Sequence, residues 1–328
     1  MVWVSSGDGM DIRDNSLDRF MWEELKLASI PETVYHYTTI DTFAKLLADE
    51  ADFYCTHYKA LNDDSEFRLG ILYALNYFDR KGVRSTSPHK FVGDAFLGMM
   101  HQKVLVPWIT SFSGARDSLP QWIAYTKDSG GYAIGFRYRD IHKAVSALMT
   151  RQSALASQRI SKMKKMIYLL PCIYIEADGG LTRMMYRSIQ PSDVADRLLE
   201  FLLGEYQDNL AAIFEPRGSQ VREAIVAAVL LFASMVKHVS FSHEQEYRLV
   251  VQARLNKDTL KRCELIGGKP RIHSNVNKII KPLRLSISEI GRSPHGNLAL
   301  LDSTAELFRL KYGCEYGLYR STSPYNGR

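Results

Sequence analysis

A chain of 328 residues with 46% hydrophobic and 24% charged residues has the composition of a folded globular protein, which excludes a disordered one. Its formal charge of +6 is spread along the chain, so it permits an anionic ligand or a nucleic-acid partner and demands neither. Cys55, Cys172, Cys263 and Cys314 lie far apart and form no C-x-x-C pair, which argues against a zinc site or a disulfide framework and suits a reducing compartment. The first thirty residues hold Asp8, Asp11, Asp14 and Asp18 and no apolar run, so no signal peptide is expected. The longest apolar run, Ile225 to Val236, is too short to span a bilayer and reads as a buried helix. A cytoplasmic protein without membrane contact is the expectation.

In chain order, residues 1–33 read as a polar lead-in with a short helix over Leu17–Leu27. Val34-Tyr35-His36-Tyr37 predicts a strand, and Thr38 or Thr39 caps a helix over Ile40–Leu47. After the acidic turn Asp49–Asp52, Phe53–Thr56 predicts a second strand. Leu61-Asn62-Asp63-Asp64-Ser65-Glu66 starts a helix that runs to about Tyr77, with Asp63 as cap and Glu66 closing a capping box. Val104–Ser113 predicts the next strand, and Ser118 and Pro120 open a helix that carries Gln121, Trp122 and Tyr125. Beyond the turn at Gly130-Gly131, Tyr132–Phe136 predicts another strand, in which Gly135 marks a bulge or a close approach.

Between Asp140 and Lys237 helical patterns dominate, at Ile141–Lys165, Pro191–Phe214 and Arg222–Val236, with one strand at Met166–Ile175. The basic stretch Arg159 to Lys165 reads as a solvated helix face. Further strands are expected at Cys263–Ile266, Lys278–Ile280 and Tyr316–Arg320, with a helix over Leu298–Tyr312. These elements divide the chain into a first half of the core at 34–139, a mostly helical insertion at 140–237, and a second half at 238–328. Strands at both ends with helices between them predict an α+β fold.

The stretch from Lys237 to Val251 contains Glu244-x-Glu246-x-Arg248 within an alternating strand pattern. On a strand, Glu244 and Glu246 project from one face, about 6.6 Å apart. Two carboxylates there repel each other and resist burial, as in an active site. The competing reading is a solvated face of an edge strand, with Arg248 paired to one glutamate.

Three features stand together: a strand ending in His36-Tyr37-Thr38, a strand ending in Ser111-Phe112-Ser113, and a strand carrying Glu244-x-Glu246. In this order they resemble the motif set of ADP-ribosyltransferases. The opening Tyr35-His36-Tyr37-Thr38 looks like the His-x-Thr start of nucleic-acid-directed members, the bacterial DNA-modifying toxins and the RNA 2′-phosphotransferases. The chain also resembles a bacterial family catalogued only as a domain of unknown function. The marks of that family are His36-Tyr37-Thr38, Leu61-Asn62-Asp63 with Glu66, Phe112-Ser113 with Gln121-Trp122-x-x-Tyr125, Gly135-Phe136, and Phe241 with Glu244-x-Glu246-x-Arg248. Ser321-x-x-Pro324-Tyr325 closes the pattern.

The resemblance implies a split-sheet core, NAD as substrate, and transfer of ADP-ribose to a macromolecular acceptor, protein or nucleic acid, in a toxin, effector or phage-defence role. Cleavage of the nicotinamide–ribose bond passes through an oxocarbenium-like transition state, which a carboxylate stabilises. By resemblance Glu246 is that carboxylate, and Glu244 orients or deprotonates the acceptor. His36, with Tyr37 and Thr38, would hold the ribose or adenosine side. Ser111 and Ser113 would brace Glu246 or the ribose, Trp122 or Tyr125 would stack on nicotinamide, and Arg116 would meet the pyrophosphate.

The chain departs from the pattern at His36, where arginine-specific transferases carry Arg, and at Tyr37, where the poly-ADP-ribosylating type carries Gly. No Gly-rich fingerprint follows a strand, so a Rossmann site is not indicated. Three alternatives stay open. One is an NAD glycohydrolase. Another is a nuclease that binds Mg²⁺ through Asp63, Asp64, Glu244 and Glu246, although no lysine sits in the Glu-x-Glu strand. The third is a non-catalytic nucleotide-binding module.

Overall fold

The computed structural model describes residues 16–25, 30–61, 64–83, 105–126, 129–155, 165–178, 188–214, 220–254, 259 and 261–324. Its strands are β1 (Thr33–Thr39), β2 (Tyr54–His57), β3 (Leu105–Ser113), β4 (Gly131–Arg137), β5 (Lys165–Pro171), β6 (Ile173–Ile175) and β7 (Ala177–Asp178). They continue as β8 (Ser188–Ile189), β9 (Val236–His238), β10 (Glu246–Arg254), β11 (Glu264–Ile266), β12 (Lys269–His273), β13 (Ile287–Arg292) and β14 (Gly317–Arg320). Ten of these form one sheet among the described residues, while β6 pairs with β9 and β7 with β8 in two small ribbons. The fold is mixed α+β around an open, mostly antiparallel sheet; within that sheet only β13 and β14 run parallel.

The sheet is organised around β3. One edge of β3 carries β10 along its whole length, from Glu246 opposite Ser113 to Arg254 opposite Leu105. The other edge is divided: β2 pairs at Trp108 and Ile109, and β1 pairs at Ser113. From β2 the sheet continues to β12 and β11, and from β1 to β4, β13 and β14. β5, which lies within the segment 140–237, pairs with the outer edge of β10. β10 is therefore central and buried from Glu246 to Ala253, not a solvated edge strand.

Paired residues share a face of a sheet, and successive residues alternate. The register thus puts Tyr35, Tyr37, Ser111, Ser113, Glu246 and Arg248 on one face. The other face carries Val34, His36, Phe112, Ile134, Phe136 and Tyr247. That second face holds the main core, where Phe53 packs edge-on against Phe112 and Phe136 at 5.1 Å each. Among the described residues three helices cover it. Ile40–Leu46 brings Phe43 to within 4.3 Å of Tyr132, Tyr138–Leu155 brings Tyr138 to within 6.0 Å of Tyr247, and Leu298–Tyr312 accepts the Tyr132 hydroxyl at Leu301 O.

On the first face, helix Gln220–Ala233 crosses helix Asp64–Arg80 and accepts Gln252 Nε2 at Ala227 O. Helix Leu119–Tyr125 covers β1 through Trp122, which meets Tyr37 edge-on at 4.7 Å. No helix among the described residues is long and apolar enough to cross a membrane.

Two glycines are fixed by the close approach of neighbouring strands, one by side chains and one by backbone. A Cβ on Gly135 would lie 2.8 Å from Thr33 Cγ2 and 3.1 Å from both Glu289 Cγ and Tyr35 Cε1, the close approach expected there. The bulge itself lies on the neighbouring strand, between Ile287 and Glu289. At Gly131 a Cβ would sit 2.1 Å from Thr38 O, a backbone atom of β1 that cannot turn aside. Gly131→Ala is expected to lower stability by roughly 1–3 kcal/mol, read as a fall in urea midpoint; an unchanged midpoint would show that β1 and β4 part without penalty.

Several elements depart from the sequence pattern. Lys278–Ile280, expected as a strand, is instead the last residue of a 3₁₀ turn at Val276–Lys278 and the bend after it, while β12 and β13 are strands that the sequence pattern does not predict. Of the long helix expected over Ile141–Lys165 the described part is Tyr138–Leu155, residues 156–164 lie outside the described residues, and Lys165 itself begins β5. Pro191–Phe214 is an α-helix over Asp193–Leu203 followed by a 3₁₀ segment, broken at Gly204 with φ 50°. Asn62 and Asp63 lie outside the described residues, and the capping box with them.

Candidate functional site

The two glutamates do not share a strand face. β9 gives way to a 3₁₀ turn at Val239–Glu244, Gln245 takes a left-handed conformation at φ 45°, ψ 50°, and β10 begins at Glu246. A non-glycine residue there is uncommon. Two backbone hydrogen bonds hold it: Gly114 N donates to Gln245 O at 2.8 Å, and Gln245 N donates to Ser242 O at 3.2 Å. The kink turns Glu244 off the strand, yet both carboxylates meet one partner.

That partner is Lys237 on β9. Its Nζ donates to Glu246 Oε2 at 2.6 Å and also to Glu244 Oε2. Arg248 closes the other side of Glu246, with Nε to Oε1 at 2.8 Å and Nη2 to Oε2 at 3.2 Å, and its Nη1 donates to Ser234 O at 2.8 Å. Glu246 N donates to Tyr174 Oη at 2.8 Å, and the Phe241 ring caps the ammonium at 5.0 Å. Glu246, Lys237 and Arg248 are all buried, at 6%, 4% and 3% exposure. Burial alone would raise the Glu246 carboxyl, but Arg248 and Lys237 outweigh it and hold the group at about 2. Glu244 shares a single cation and keeps some contact with solvent.

Lys237 is the residue that the alternation of the strand does not reveal. It stands nine positions before Glu246 and reaches it across the turn. It opens the stretch that carries the glutamates, and a cation beside two clustered carboxylates was the available signal.

The remaining candidates divide by face. His36 lies on the core face, opposite to Glu246; its Nδ1 is 3.1 Å from Ser111 O and its ring 5.8 Å from that of Phe112. Burial lowers its pKa and favours the neutral ring. Thr38 is buried beside it on the strand. Tyr37 donates to Ala115 O at 2.8 Å and accepts from Ser118 N at 3.0 Å, which ties β1 to the loop after β3. Ser113 donates to Glu244 O at 2.6 Å and accepts from Ala115 N at 3.1 Å, so it braces the backbone of the turn, not the carboxylate of Glu246.

Trp122 has no exposed surface and donates Nε1 to Asp117 at 2.7 Å, so in this structure it offers no face to a ligand. Tyr125 on the same helix is exposed. Arg116 is bidentate on Glu289, with Nε to Oε1 at 2.9 Å and Nη2 to Oε2 at 2.7 Å, and lies 4.1 Å over the Tyr319 ring. Asp117 also receives Ser321 Oγ at 2.5 Å and Thr322 N at 2.8 Å, which clasps the chain beyond β14 to this loop. Asp63 and the side chain of Asp64 fall outside what is described. Among the described residues no three His, Cys, Asp or Glu side chains gather to hold a metal ion.

β3 is buried at every position except Ser111, which lies where its edge passes from β1 to β2. The site as a whole is thus a shut ion-pair cluster at the head of β10, with Glu244 at its rim and a partly exposed serine two residues from Ser113.

Comparison with known proteins adds one assignment. No curated protein and no solved structure matches the chain. Residues 121–249, which contain Trp122, Tyr125, Lys237, Glu244, Glu246 and Arg248, match a family described as a protein of unknown function (DUF2971).

Proposed function

We propose that the protein is an NAD-dependent ADP-ribosyltransferase whose reacting carboxylate is Glu244. The observation that carries this reading is the adjacency of the three motif strands. β10, β3 and β1 are direct neighbours, and Glu246, Ser113 and Tyr35 stand in one row on one face. The ion pairs redistribute the roles. Glu246 is neutralised by two cations and has little charge left to offer an oxocarbenium ion, so it serves as the fixed base of the cluster. Glu244 lies at the rim and shares one cation, so its carboxylate is the one able to accept a ribose 2′-OH and face the growing positive charge. His36 acts here through β1 and β3, which it ties together at Ser111 O. Tyr125 is the exposed aromatic left to meet nicotinamide, since Trp122 is enclosed.

Nicotinamide release from NAD, with label on the adenylate phosphate and protein, DNA or RNA supplied as acceptor, tests the reading. Release by the wild type should fall by about 10²-fold or more in Glu244→Gln while its melting temperature stays within a few degrees. Label that stays soluble while nicotinamide is freed identifies a glycohydrolase. No release with any acceptor, together with no thermal shift on adding NAD, sinks the proposal.

One observation favours a second reading. Lys237 touches both glutamates, so a lysine does accompany the acidic pair, as a Mg²⁺-dependent nuclease would need. Mg²⁺-dependent cleavage of plasmid DNA or RNA that disappears in Glu244→Gln would select it.

A further inference from the structure

One end of the sheet is an open edge with an apolar residue at its middle. Among the described residues β14 pairs with β13 alone, and every residue of it is exposed or half-buried. Ser321 N donates to Arg292 O at 3.2 Å, so Ser321 turns its backbone groups towards β13. Alternate residues of a strand direct their N–H and C=O groups to opposite sides. Gly317 and Tyr319 therefore also turn to β13, while Leu318 and Arg320 present their backbone groups outward. Leu318 lies on the core face in line with Ile290 and Ile134, yet it is 48% exposed. The described residues on either side leave the edge clear. The Tyr319 ring is turned inward over Gly291, and the chain beyond β14 is drawn away to Asp117. An edge of this kind, unpaired and apolar at its centre, is a template for another strand.

The strand is complementary to itself. Glu315 stands just before it and Arg320 closes it, and both are exposed. Arg320 bonds Asp302 at 3.1 Å, yet its side chain keeps 74% exposure. Two copies paired in the same direction would set like charges together. Paired antiparallel about a two-fold axis, each brings its Glu315 beside Arg320 of the other. The side chains also select the register. An axis at Arg320 would set two arginines opposite each other, and one at Tyr319 would set Leu318 against arginine. An axis at Gly317 would carry Arg320 past the end of the second strand. An axis at Leu318 lays leucine against leucine, joins their outward N–H and C=O groups in two hydrogen bonds, and keeps the Glu315–Arg320 pairs.

We propose that β14 is a dimer interface, at which a second copy of this chain pairs antiparallel about a two-fold axis at Leu318. The two sheets then run on as one. This inference is independent of the reaction the protein performs.

Sedimentation equilibrium of the full chain at about 100 μM tests it, for wild type, Leu318→Lys, Leu318→Glu and an equimolar mixture of the two variants. The wild type should have twice the chain mass. Each charged variant alone should fall to the mass of one chain, because like charges meet at the axis. The mixture should return to twice the chain mass, because opposite charges then meet there. A wild type of single-chain mass, a charged variant that stays dimeric alone, or a mixture that stays monomeric would each overturn the assignment. Leu318→Cys gives a reading that introduces no charge. Residues directly opposite in a hydrogen-bonded pair have Cα atoms about 5.5 Å apart, within reach of a disulfide. Mild oxidation should therefore link two chains of Leu318→Cys through that position, and failure to link them would also overturn the assignment.

Discussion

Replacing Glu246 by Gln is expected to lower the free energy of unfolding by roughly 3–5 kcal/mol, because it takes the carboxylate from the buried Arg248 and leaves the buried Lys237 with Glu244 as its carboxylate partner. Lys237 and Arg248 are at most 5% exposed in their side chains, and the carboxylate between them is their shared counter-ion. An amide keeps the shape and part of the hydrogen bonding but removes the charge. Lys237→Met should cost less, since Arg248 still neutralises Glu246. The double variant Lys237→Met with Glu246→Leu should then be less destabilised than the sum of its parts, with the difference measuring the coupling. Urea unfolding followed by circular dichroism at neutral pH decides the matter. A loss below about 1 kcal/mol in Glu246→Gln would mean that water reaches the cluster and screens it.

The same carboxylate should make the protein acid-sensitive over a defined window. Its folded-state pKa is held at about 2, against an ordinary carboxyl value of 4.5. A depressed folded pKa contributes stability that is fully present above the unfolded value and is lost as pH falls from about 4.5 towards 2. At about 1.36 kcal/mol per unit the contribution is roughly 3 kcal/mol. Asp117, Glu200 and Glu289 are lowered in the same direction, so the wild-type curve alone does not isolate Glu246. The difference between wild type and Glu246→Gln does. It should be constant from neutral pH down to about 5 and then shrink steadily, and a difference that stays flat to about pH 3 would contradict the ion-pair assignment.

Much of the core could be read from residue patterns because its strands are apolar on both faces or alternate cleanly. β1, β3, β4 and β10 all carry β-branched or aromatic runs, and helix Leu298–Tyr312 is capped by the side chain of Asn297, which accepts from Leu300 N at 3.1 Å. β13 was illegible for a physical reason: Ile287-Ser288-Glu289-Ile290-Gly291-Arg292 has little β-propensity of its own and is a strand because β4 and β14 flank it. In the site, the residue types were visible but their grouping was not. The alternation that placed Glu244 and Glu246 on one face takes no account of a left-handed Gln245, and Lys237 enters from another sheet.

The row formed by Tyr35, Ser113 and Glu246 also sets an order of events in folding. During synthesis β1, β3 and β4 emerge early, but a whole edge of β3 has no strand to receive until residues 246–254 have left the ribosome. Contacts of such sequence separation form late and slowly. In the interval the nascent chain exposes a long, apolar, unpaired edge, the kind that draws in other chains. β10 ends that exposure when it docks, and its first residue brings the charged cluster that Lys237 and Arg248 complete. The vulnerable period of this protein is therefore built into the distance between its motifs, and holdase chaperones that recognise bare strand edges would find their substrate before residue 246 arrives.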